Sequence, residues 1–423
     1  MTNSNERSGN NNKDHKQNVP ELRFPGFEDE WLHYKLSDFG DFKNGVNKSK
    51  NDFGSGYSFV NLEDILEKRY LYNKSFGLVK VSQKELNEYN LKKGDVLFVR
   101  SSVKPEGVGL TSVLLEDLNN TVYSGFIIRY RTNKKLNISF KKYCFSTFTI
   151  RKQILAKSST SANTNINQQS LKKIDFNVPS LDEQKKIADF LSLIDKKIEL
   201  MEKKYQMLIN LKKYFLHNMI SSYKEINPPL RFNEFKENWN KIRLKENLDL
   251  IRNGSSETQV NYETDYPVSR IETVSGDKLN LDKVGYVEHI GEEYKIKKGD
   301  IMLTNINSMK FIGNVLYFNT NETLYHGMNL LLLRFNENIN KKFMFYNLKR
   351  NNILFKKMAC QAVNQASINK TTIEKMQFNI PSIKEQEKIA EFLFHFDKKI
   401  ENIYKQIQLN TNFKKSLLSK MFC

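Results

Sequence analysis

Cysteine is scarce in this sequence, and long hydrophobic runs are absent. The three cysteines, Cys144, Cys360 and Cys423, show neither CxxC nor Cys/His spacing, so the sequence indicates neither a disulfide framework nor a zinc site. No stretch approaches the roughly 20 apolar residues of a membrane-spanning helix, and the first residues lack the apolar core of a signal peptide. We therefore expect a cytoplasmic protein with free thiols and no membrane partner. Residues 1–18 are predicted to form a polar disordered tail.

Catalytic and cofactor motifs are also missing. The six histidines show no metal-ligand spacing. GDFKNGV at Gly40 begins like a P-loop, but Val46 stands where the phosphate-binding lysine is required, so a turn is expected. NPPL at Asn227 is similar to the N-P-P-aromatic loop of amino-methyltransferases, but Leu230 replaces the aromatic ring and no glycine-rich cofactor loop follows an early strand. We expect a linker there, and no catalytic residue, metal or cofactor in this chain.

Positive charge is in excess. The 423 residues include 67 Lys and Arg against 48 Asp and Glu, which gives a formal net charge of +19 at pH 7. Such an excess is expected for a protein that meets a polyanion. Nucleic acid is the first candidate. An anionic membrane surface is the second, but the lack of a stretch of about 20 apolar residues speaks against it.

The chain contains an internal duplication. FNVPSLDEQKKIADFLSLIDKKIEL begins at Phe176, and FNIPSIKEQEKIAEFLFHFDKKIEN begins at Phe378. LRFPGFEDEW at Leu22 likewise returns as LRFNEFKENW at Leu230. Shorter repeated motifs are KNG and RNG at Lys43 and Arg252, KKGDVL and KKGDIM at Lys92 and Lys297, and SGF and HGM at Ser124 and His326. The repeats indicate two structurally similar units, each closed by the same segment.

Each copy of the duplicated segment is predicted to form a long helix. Ser180 with Glu183, and Ser382 with Glu385, have the spacing of a capping box. Apolar residues then recur in alternating steps of four and three, which is typical of a coiled coil. The seam residues are Ile187, Leu191, Ile194, Ile198, Met201, Tyr205 and Leu208 in the first copy, and Ile389, Leu393, Phe396, Ile400, Ile403 and Ile407 in the second. We expect the two helices to pair; the alternative is that each packs on its own domain.

The globular parts are predicted to be mixed, so the fold class is α+β. Runs such as DVLFVR, GFIIRYR and LLLLRF predict buried strands, and KKYCFSTFTIRKQIL and KKFMFYNLKRNNILFKKM predict helices near the end of each part. The expected division is a tail at 1–18, a first globular domain at 19–175, a central helix at 176–222, a linker at 223–229, a second globular domain at 230–377 and a C-terminal helix at 378–423.

Loops after the predicted strands are rich in side chains that contact phosphates and base edges in DNA complexes. The candidate DNA-binding residues of the first domain are Lys48, Lys50, Arg100, Ser101, Ser102, Lys104, Tyr123, Ser124, Ser159, Thr160, Asn163 and Asn165. Those of the second are Thr304, Asn305, Asn307, Lys310, Tyr325, His326, Gln361, Asn364 and Gln365. These polar residues differ between the domains while the strand and helix signals persist. Two identical binding sites are therefore not expected.

The arrangement resembles the specificity subunit of type I restriction-modification enzymes. The resemblance is carried by two variable units, each containing KKGD before a hydrophobic residue and each closed by a helix that begins PS-x-x-EQ-x-KIA-x-FL, and it extends from about Val19 to Met421. It implies two target recognition domains, at 19–175 and 230–377, that each read one half of a bipartite, asymmetric DNA target. It also implies that the helices form an antiparallel coiled coil with pseudo-twofold symmetry and set the spacer between the half-sites.

The same resemblance implies partners. Two modification subunits, which bind S-adenosylmethionine and methylate adenine, would dock on the helices, and restriction subunits would use ATP and Mg²⁺. This chain would then bind double-stranded DNA and confer specificity without chemistry of its own. One alternative is a DNA adenine methyltransferase with its own recognition domain, which would need the missing cofactor loop. The other is a coiled-coil adaptor that binds only protein, which would leave the +19 charge unexplained.

Overall fold

The computed structural model describes residues 18–66, 69–274, 279–361 and 365–423. The predicted tail, apart from its final residue Asn18, lies outside these ranges. The chain divides into two compact units. The first unit comprises Met1–Met201 and Gln406–Cys423, and the second comprises Glu202–Lys405. Within the described ranges, no helix is long and apolar enough to cross a membrane.

The first unit contains a mixed α/β domain. Its strands are β1 (Leu32–Lys35), β2 (Gly40–Asn44), β3 (Phe53–Val60), β4 (Tyr70–Leu71), β5 (Gly77–Val79), β6 (Val96–Val99), β7 (Ser101–Ser102), β8 (Thr111–Leu114), β9 (Thr121–Tyr123), β10 (Ile127–Thr132), β11 (Ser159–Thr160), β12 (Thr164–Asn165) and β13 (Asp175–Val178). Its helices are α1 (Leu62–Leu66), α2 (Gln83–Tyr89), α3 (Ile138–Cys144), α4 (Phe148–Ala156), α5 (Gln168–Lys172) and the start of α6 (Leu181–Met219). A five-stranded sheet has the order β2-β10-β6-β8-β4, and three-stranded sheets have the orders β5-β3-β9 and β11-β12-β7. Strand β1 pairs with β13.

The second unit repeats this plan. Its strands are β14 (Asn240–Arg243), β15 (Leu248–Asn253), β16 (Gln259–Val260), β17 (Pro267–Val268), β18 (Gly285–Val287), β19 (Ile301–Leu303), β20 (Ile306–Asn307), β21 (Val315–Tyr317), β22 (Leu331–Phe335), β23 (Cys360–Gln361), β24 (Ala366–Ser367) and β25 (Gln377–Ile380). Its helices are α7 (Lys341–Arg350), α8 (Asn352–Met358), α9 (Lys370–Glu374) and the start of α10 (Ile383–Lys420). The main sheet has the order β15-β22-β19-β21. Small sheets have the orders β16-β18-β17 and β20-β24-β23, and β14 pairs with β25.

The central strand of each main sheet is hydrophobic at every position because both of its faces are covered. In β6, Val96 and Phe98 belong to one buried cluster, whereas Leu97 and Val99 belong to another. In β19, Ile301 and Leu303 belong to one cluster and Met302 to another. Successive side chains of a strand point to opposite faces, so each continuous apolar run supplies two cores at once.

The repeated KKGD motif forms an internal ion pair in each unit. The Asp95 carboxylate accepts hydrogen bonds from Nε and Nη2 of Arg131, at 2.7 and 2.6 Å. Asp300 accepts the equivalent pair from Arg334, at 2.8 and 2.6 Å. Each aspartate also accepts a hydrogen bond from the backbone N–H of the first lysine of its motif. This lysine is Lys92 in the first unit and Lys297 in the second. The motif is therefore a turn with exposed lysines and a buried aspartate, which anchors it to a neighbouring strand.

Each helical run near the end of a globular domain is divided into two helices. Thr147 separates α3 from α4, and its Oγ1 accepts the Ile150 N–H at 3.4 Å. Asn351 separates α7 from α8, and its Nδ2 donates to the carbonyls of Asn347 and Ser221 at 3.1 and 3.2 Å. Thr147 thus caps the first turn of α4, whereas Asn351 joins the α7–α8 boundary to the segment that follows α6.

The long helices run antiparallel within the first unit. Asn410 Nδ2 of α10 lies 3.9 Å from Met201 Sδ of α6. Further toward the N-terminus of α6, Asp195 contacts Lys414, which lies further toward the C-terminus of α10. Residue numbers therefore rise along one helix as they fall along the other.

The second unit contains the equivalent antiparallel pairing. Lys212 of α6 contacts Asp397 of α10, and the rings of Phe215 and Phe396 lie 5.4 Å apart. Every predicted seam residue of both helices is buried or half-buried. The predicted antiparallel coiled coil is confirmed, with the same kinds of contact repeated in both units.

Only half of the capping box predicted at Ser180 forms. The Glu183 N–H donates to Ser180 Oγ at 3.4 Å, but the Glu183 carboxylate accepts Nε and Nη2 of Arg23, at 2.7 and 2.8 Å. In the second unit, Glu385 accepts the same two groups of Arg231, at 2.9 and 2.7 Å. The arginine of each LRF motif therefore binds the glutamate of each PS-x-x-EQ motif, which explains why the two motifs are duplicated together.

The glutamine that follows this glutamate joins each helix to its globular domain. Gln184 Nε2 donates to the Pro179 carbonyl at 2.9 Å, and its Oε1 accepts the Asn137 N–H at 2.9 Å. Gln386 makes the same two bonds with Pro381 and Asn340, at 3.0 Å each. The duplicated EQ dipeptide is thus a buried polar link between domain and helix.

Candidate nucleic-acid interface

One edge of the five-stranded sheet gathers loops of the first unit. The register pairs Ile127 with Val99 and Ile128 with Asn44, so the end of β2, the end of β6 and the start of β10 lie side by side. The loop after β2 begins at Gly45, and the loop after β6 begins at Arg100. The loop before β10 ends at Phe126. Arg100 Nη1 donates to the Gly125 carbonyl at 3.2 Å, which joins two of the loops.

The glycine of the KNG and RNG motifs is required by a close approach of two backbones. A Cβ atom at Gly45 would overlap the carbonyl oxygen of Ser124, and one at Gly254 would overlap that of Gly327. Glycine is the residue without a Cβ atom, so it alone permits this contact. The repeated motif is therefore structural, and it holds the polar loops of each unit together.

A small sheet unites two of the predicted DNA-binding segments of the first unit. Ser101 and Ser102 of β7 pair with Asn165 and Thr164 of β12, and β12 pairs with β11. The loop after β6 is thereby joined to the polar segment near residue 160. Ser159, Thr160, Asn163 and Lys104 are exposed, and Arg100, Ser101, Ser102 and Asn165 are half-buried. We call residues 100–104, 124–126 and 159–165 the polar edge of the first unit.

The second unit contains the same small sheet with different side chains. Ile306 and Asn307 of β20 pair with Ser367 and Ala366 of β24, which also pairs with β23. Gln361, Gln365 and Lys310 are exposed and Asn307 is half-buried, while Asn364 lies outside the described residues. We call residues 304–311, 326–329, 360–361 and 365–367 the polar edge of the second unit.

Backbone hydrogen bonds show which positions of the two edges correspond. The Arg100 carbonyl accepts the Ile166 N–H at 3.0 Å, and the Asn305 carbonyl accepts the Ile368 N–H at 2.9 Å. Arg100 and Asn305 are therefore equivalent positions with different side chains. The same pairing makes Ser101 equivalent to Ile306.

The pairing of SGF with HGM is wrong by one residue. The Val46 N–H donates to the Tyr123 carbonyl, whereas Ser255, its equivalent, donates to the His326 carbonyl. Tyr123 therefore corresponds to His326, and Ser124 to Gly327. The sequence alignment matched two glycines and so missed a shift of one residue in this turn.

Several predicted contact residues lie in the core. Tyr123, Ser124, Thr304, Asn305, Tyr325 and His326 are all buried. Tyr123 Oη donates to the Lys43 carbonyl at 3.1 Å, and Tyr325 Oη donates to Glu292 Oε1 at 2.6 Å. This burial corrects the expectation that these side chains are exposed in loops, because the segments continue the strands inward. We exclude them from the proposed direct contacts.

His326 is a neutral core residue. Its Nε2 lies 3.1 Å from the Leu330 carbonyl, to which it donates. Burial lowers the pKa of His326 to about 4, because a charged imidazole would lose its hydration. At neutral pH this side chain carries no positive charge toward a phosphate.

The two lysines predicted after the KNG turn differ in their surroundings. Lys48 Nζ forms an ion pair with Glu85 at 2.8 Å, and this lysine holds the pKa of the Glu85 carboxyl below its ordinary value. Lys50 is exposed. Lys50 therefore stays a candidate phosphate contact, whereas the charge of Lys48 is already compensated.

Sequence reasoning missed exposed apolar residues at the polar edges. Val103 and Phe126 of the first unit are 81% and 60% exposed, and Met328 of the second is 48% exposed. The available signal was a large apolar residue within a short polar turn. Such side chains can contact thymine methyl groups or insert between bases.

The fold and its two polar edges define a protein built from two related binding domains. The model for the type I restriction modification DNA specificity domain matches residues 28–210 and 236–411. These segments make up most of the sequence, and the chain belongs to that family.

Two curated relatives are specificity subunits from Methanocaldococcus jannaschii. The putative type I restriction enzyme MjaX specificity subunit is 41% identical over 214 residues, which is 48% of this chain and 50% of the relative. The chain thus spans about half the length of that relative. The type I restriction enzyme MjaVIII specificity subunit is 24% identical over 309 residues, covering 68% of this chain and 71% of the relative.

Two solved structures share the fold. The S subunit of a type I restriction-modification system from M. genitalium has a TM-score of 0.59 and 17% identity, covering 96% of this chain and 99% of that chain. A chain from a study of complex assembly and conformational transition in the type I R-M system has a TM-score of 0.57 and 15% identity, covering 95% and 98%. Both likenesses extend over both domains and both long helices.

Proposed function

We propose that this chain is the DNA-recognition subunit of a type I restriction-modification complex. Each globular domain reads one half of a bipartite, asymmetric target in double-stranded DNA, with its polar edge as the reading surface. The domain boundaries of this proposal are 19–175 and 230–377. The observation that carries it is the pair of matched polar edges, which share a backbone arrangement and differ in side chains.

The differences between the edges support two different half-sites. Ser101 is equivalent to Ile306, and Ser102 to Asn307. Base-edge recognition depends on donors, acceptors and apolar groups at fixed positions. A shared backbone with exchanged side chains is therefore suited to reading two different sequences.

The surface charge supports binding to the phosphate backbone. Lys50, Lys104 and Lys310 are exposed at or beside the polar edges. Lysines at such positions supply the part of the affinity that does not depend on sequence. We propose these residues as phosphate contacts and Arg100, Ser102, Thr160, Asn163, Asn307, Gln361 and Gln365 as base-reading candidates.

A duplicated apolar pair on the long helices supports docking of two copies of one partner. In the second unit, Met207 and Leu211 of α6 are 61% and 40% exposed. In the first unit, Leu409 and Phe413 of α10 are 67% and 54% exposed. Residues four apart share one helix face, and exposed apolar patches mark interaction sites. We propose that each pair receives one modification subunit.

Catalysis in this proposal belongs to the partners. The modification subunits would bind S-adenosylmethionine and methylate adenine, and the restriction subunits would use ATP and Mg²⁺. The coiled coil would set the spacer between the half-sites, because it is the element that both units share.

The test is to express this chain with its modification subunit in a host without adenine methylation and to map methylated adenines by single-molecule sequencing. We expect a gapped, asymmetric motif that appears only when this chain is present. Arg100→Ala should relax one half of the motif and leave the other half unchanged. Lys35→Ala, which removes an exposed charge from β1, is the matched control. An assembled complex that methylates no gapped motif and binds no duplex would instead indicate a protein adaptor.

A further inference from the structure

A tyrosine, an aspartate and a lysine meet in the first unit where the globular domain contacts both long helices. Tyr143 Oη of α3 donates to Asp195 Oδ2 of α6 at 2.8 Å. Lys414 Nζ of α10 donates to Asp195 Oδ1. The Lys414 ammonium also lies 5.6 Å from the centroid of the Tyr143 ring. One residue from the domain and one from each helix therefore converge on a single carboxylate.

The second unit contains the same three residue types in the same arrangement. Tyr346 Oη of α7 donates to Asp397 Oδ2 of α10 at 2.5 Å. Lys212 Nζ of α6 donates to Asp397 Oδ1 and lies 5.7 Å from the centroid of the Tyr346 ring. The aspartates lie in the repeated DKKIE sequences, and the lysines begin the repeated KK pairs near the end of each helix. The triads have thus been kept in both copies, whereas the side chains of the polar edges have not.

The tyrosine and lysine of each triad are largely buried, whereas the side chains of Asp195 and Asp397 are 26% and 35% exposed. The tyrosines are fully buried, and the side chains of Lys414 and Lys212 are only 14% and 13% exposed. Burial lowers the pKa of Lys414, although Asp195 opposes this effect. A buried ion pair adds little net stability, because both partners lose their hydration. Charged pairs beside a coiled-coil seam instead select one register and one orientation.

The geometry favours one register. A slip of the helices by one turn would move the lysine about 5.4 Å from its carboxylate. The largely buried ammonium would lose its partner, and the carboxylate would keep only its tyrosine and solvent. The apolar seam alone discriminates less, because its four-three pattern repeats along each helix. The tyrosine extends this selection to the globular domain, since it binds the same carboxylate.

We propose that the triads Tyr143–Asp195–Lys414 and Tyr346–Asp397–Lys212 are positioning residues that hold each recognition domain and the two helices in one register, and so restrict the DNA spacer to one length. The inference rests on the proposed function and adds the residues that enforce the spacing. A slip of about 5.4 Å exceeds the ~3.4 Å rise of one base pair, so it is large enough to change the spacer.

The experiment uses the complete complex with Lys414→Met, which removes the ammonium and keeps most of the side-chain stem. Methylated adenines are mapped by single-molecule sequencing. We expect methylation at spacers one or two base pairs longer or shorter, in addition to the original spacer, with both half-site sequences unchanged. Lys415→Met, an exposed neighbour on the same helix, should keep a single spacer. Tyr143→Phe should broaden the spacer less than Lys414→Met, since the ion pair remains.

A reciprocal exchange separates positioning from simple stabilisation. Asp195→Lys combined with Lys414→Asp restores the pair between the helices and should return methylation to one spacer. Uniform loss of methylation at the original spacer, with no new spacer, would mean that the triad only stabilises the fold and would overturn the inference. An unchanged methylation map of the Lys414→Met complex would also overturn it.

A second readout tests the helix register directly, without DNA. The side-chain ends of Met201 and Asn410 are 3.9 Å apart, so a short bifunctional thiol reagent should cross-link Met201→Cys to Asn410→Cys in the native register. We expect Lys414→Met to lower the yield of this cross-link, and an unchanged yield would contradict the inference. If the unaltered complex methylates no gapped motif while the cross-link still responds to Lys414→Met, the proposed function fails and the role in register stands.

Discussion

The two units agree in their interiors and differ at their polar edges. Both contain a buried aspartate bound by two nitrogens of an arginine, Asp95 with Arg131 and Asp300 with Arg334. At the edges, equivalent backbone positions carry different side chains, as at Ser102 and Asn307. Interior ion pairs are held by the penalty for an unpaired buried charge, whereas an edge side chain can be exchanged without that penalty. Duplication of one scaffold can therefore yield two binding surfaces.

Removal of an interior carboxylate should have the largest effect. Asp95 and Asp300 are 1% and 2% exposed, so Asp95→Ala or Asp300→Ala leaves an arginine facing a buried site without its partner. The side chains of Arg131 and Arg334 are 34% and 21% exposed and keep part of their hydration. We therefore expect each change to lower the free energy of unfolding of its own unit by about 2–4 kcal/mol. Hydrogen exchange measured by mass spectrometry resolves the units, and Asp41→Ala on the exposed side of β2 is the control. If the free energy of unfolding falls no more than in the control, the two aspartates do not hold a shared scaffold.

The second-largest effect should be a different pH dependence of the free energy of unfolding in the two units. The unfolded imidazole of His326 binds a proton below its ordinary pKa of 6.5, while the folded one stays neutral down to about 4. The free energy of unfolding of the second unit should therefore fall as the pH falls from 6.5 to 4, by up to about 3 kcal/mol. Urea unfolding across this range should show a smaller dependence in His326→Phe. An identical pH dependence in His326→Phe would show that the His326 imidazole is not the group responsible.

Exchange of edge side chains should act on one half-site only. Arg100→Asn places in the first unit the residue type found at the equivalent position of the second. We expect a change of about 1–3 kcal/mol in discrimination at one position of one half-site. Competition binding of the assembled complex to duplexes with single base changes measures this directly. Equal losses of affinity for base changes in both half-sites would show that Arg100 contacts the DNA backbone instead of a base.

Phosphate contacts should give the smallest effect. Lys50→Ala is expected to weaken binding to all sequences alike and to reduce the slope of log affinity against log salt by about one. Titrations of the complex with one duplex at several salt concentrations measure the slope. Lys48→Ala should change it less, because Lys48 is paired with Glu85. A larger change for Lys48→Ala would reverse the assignment of the two lysines.

The long helices were predictable from sequence because their signal is periodic and local. Ile187, Leu191 and Ile194 recur at coiled-coil spacing, and their equivalents Ile389 and Leu393 repeat the pattern. The buried central strands were predictable for the same reason, since a short continuous apolar run such as that of β6 is typical of a buried strand. Antiparallel pairing followed from resemblance to a family and is now seen in the contacts of each unit.

The site was less predictable because exposure is decided by contacts distant in sequence. Tyr123 and His326 were taken for loop residues, yet both are buried. The small sheet that unites Ser101 with Asn165 contains strands of two residues, which are too short for a periodic signal. The carboxylate of Glu183 was assigned to a cap but binds Arg23, a partner that helix-terminus rules cannot identify.

The first unit is assembled from both ends of the chain, which has a consequence for its synthesis on the ribosome. Its core contains Trp31 and Phe140 from the N-terminal part of the chain, together with Leu417, Met421 and Phe422. The Trp31 and Phe422 rings lie 6.0 Å apart. Part of the apolar surface of the nascent N-terminal domain therefore stays uncovered until the second unit and all of α10 have been translated. A nonsense mutation anywhere in α10 would damage the domain that was made first.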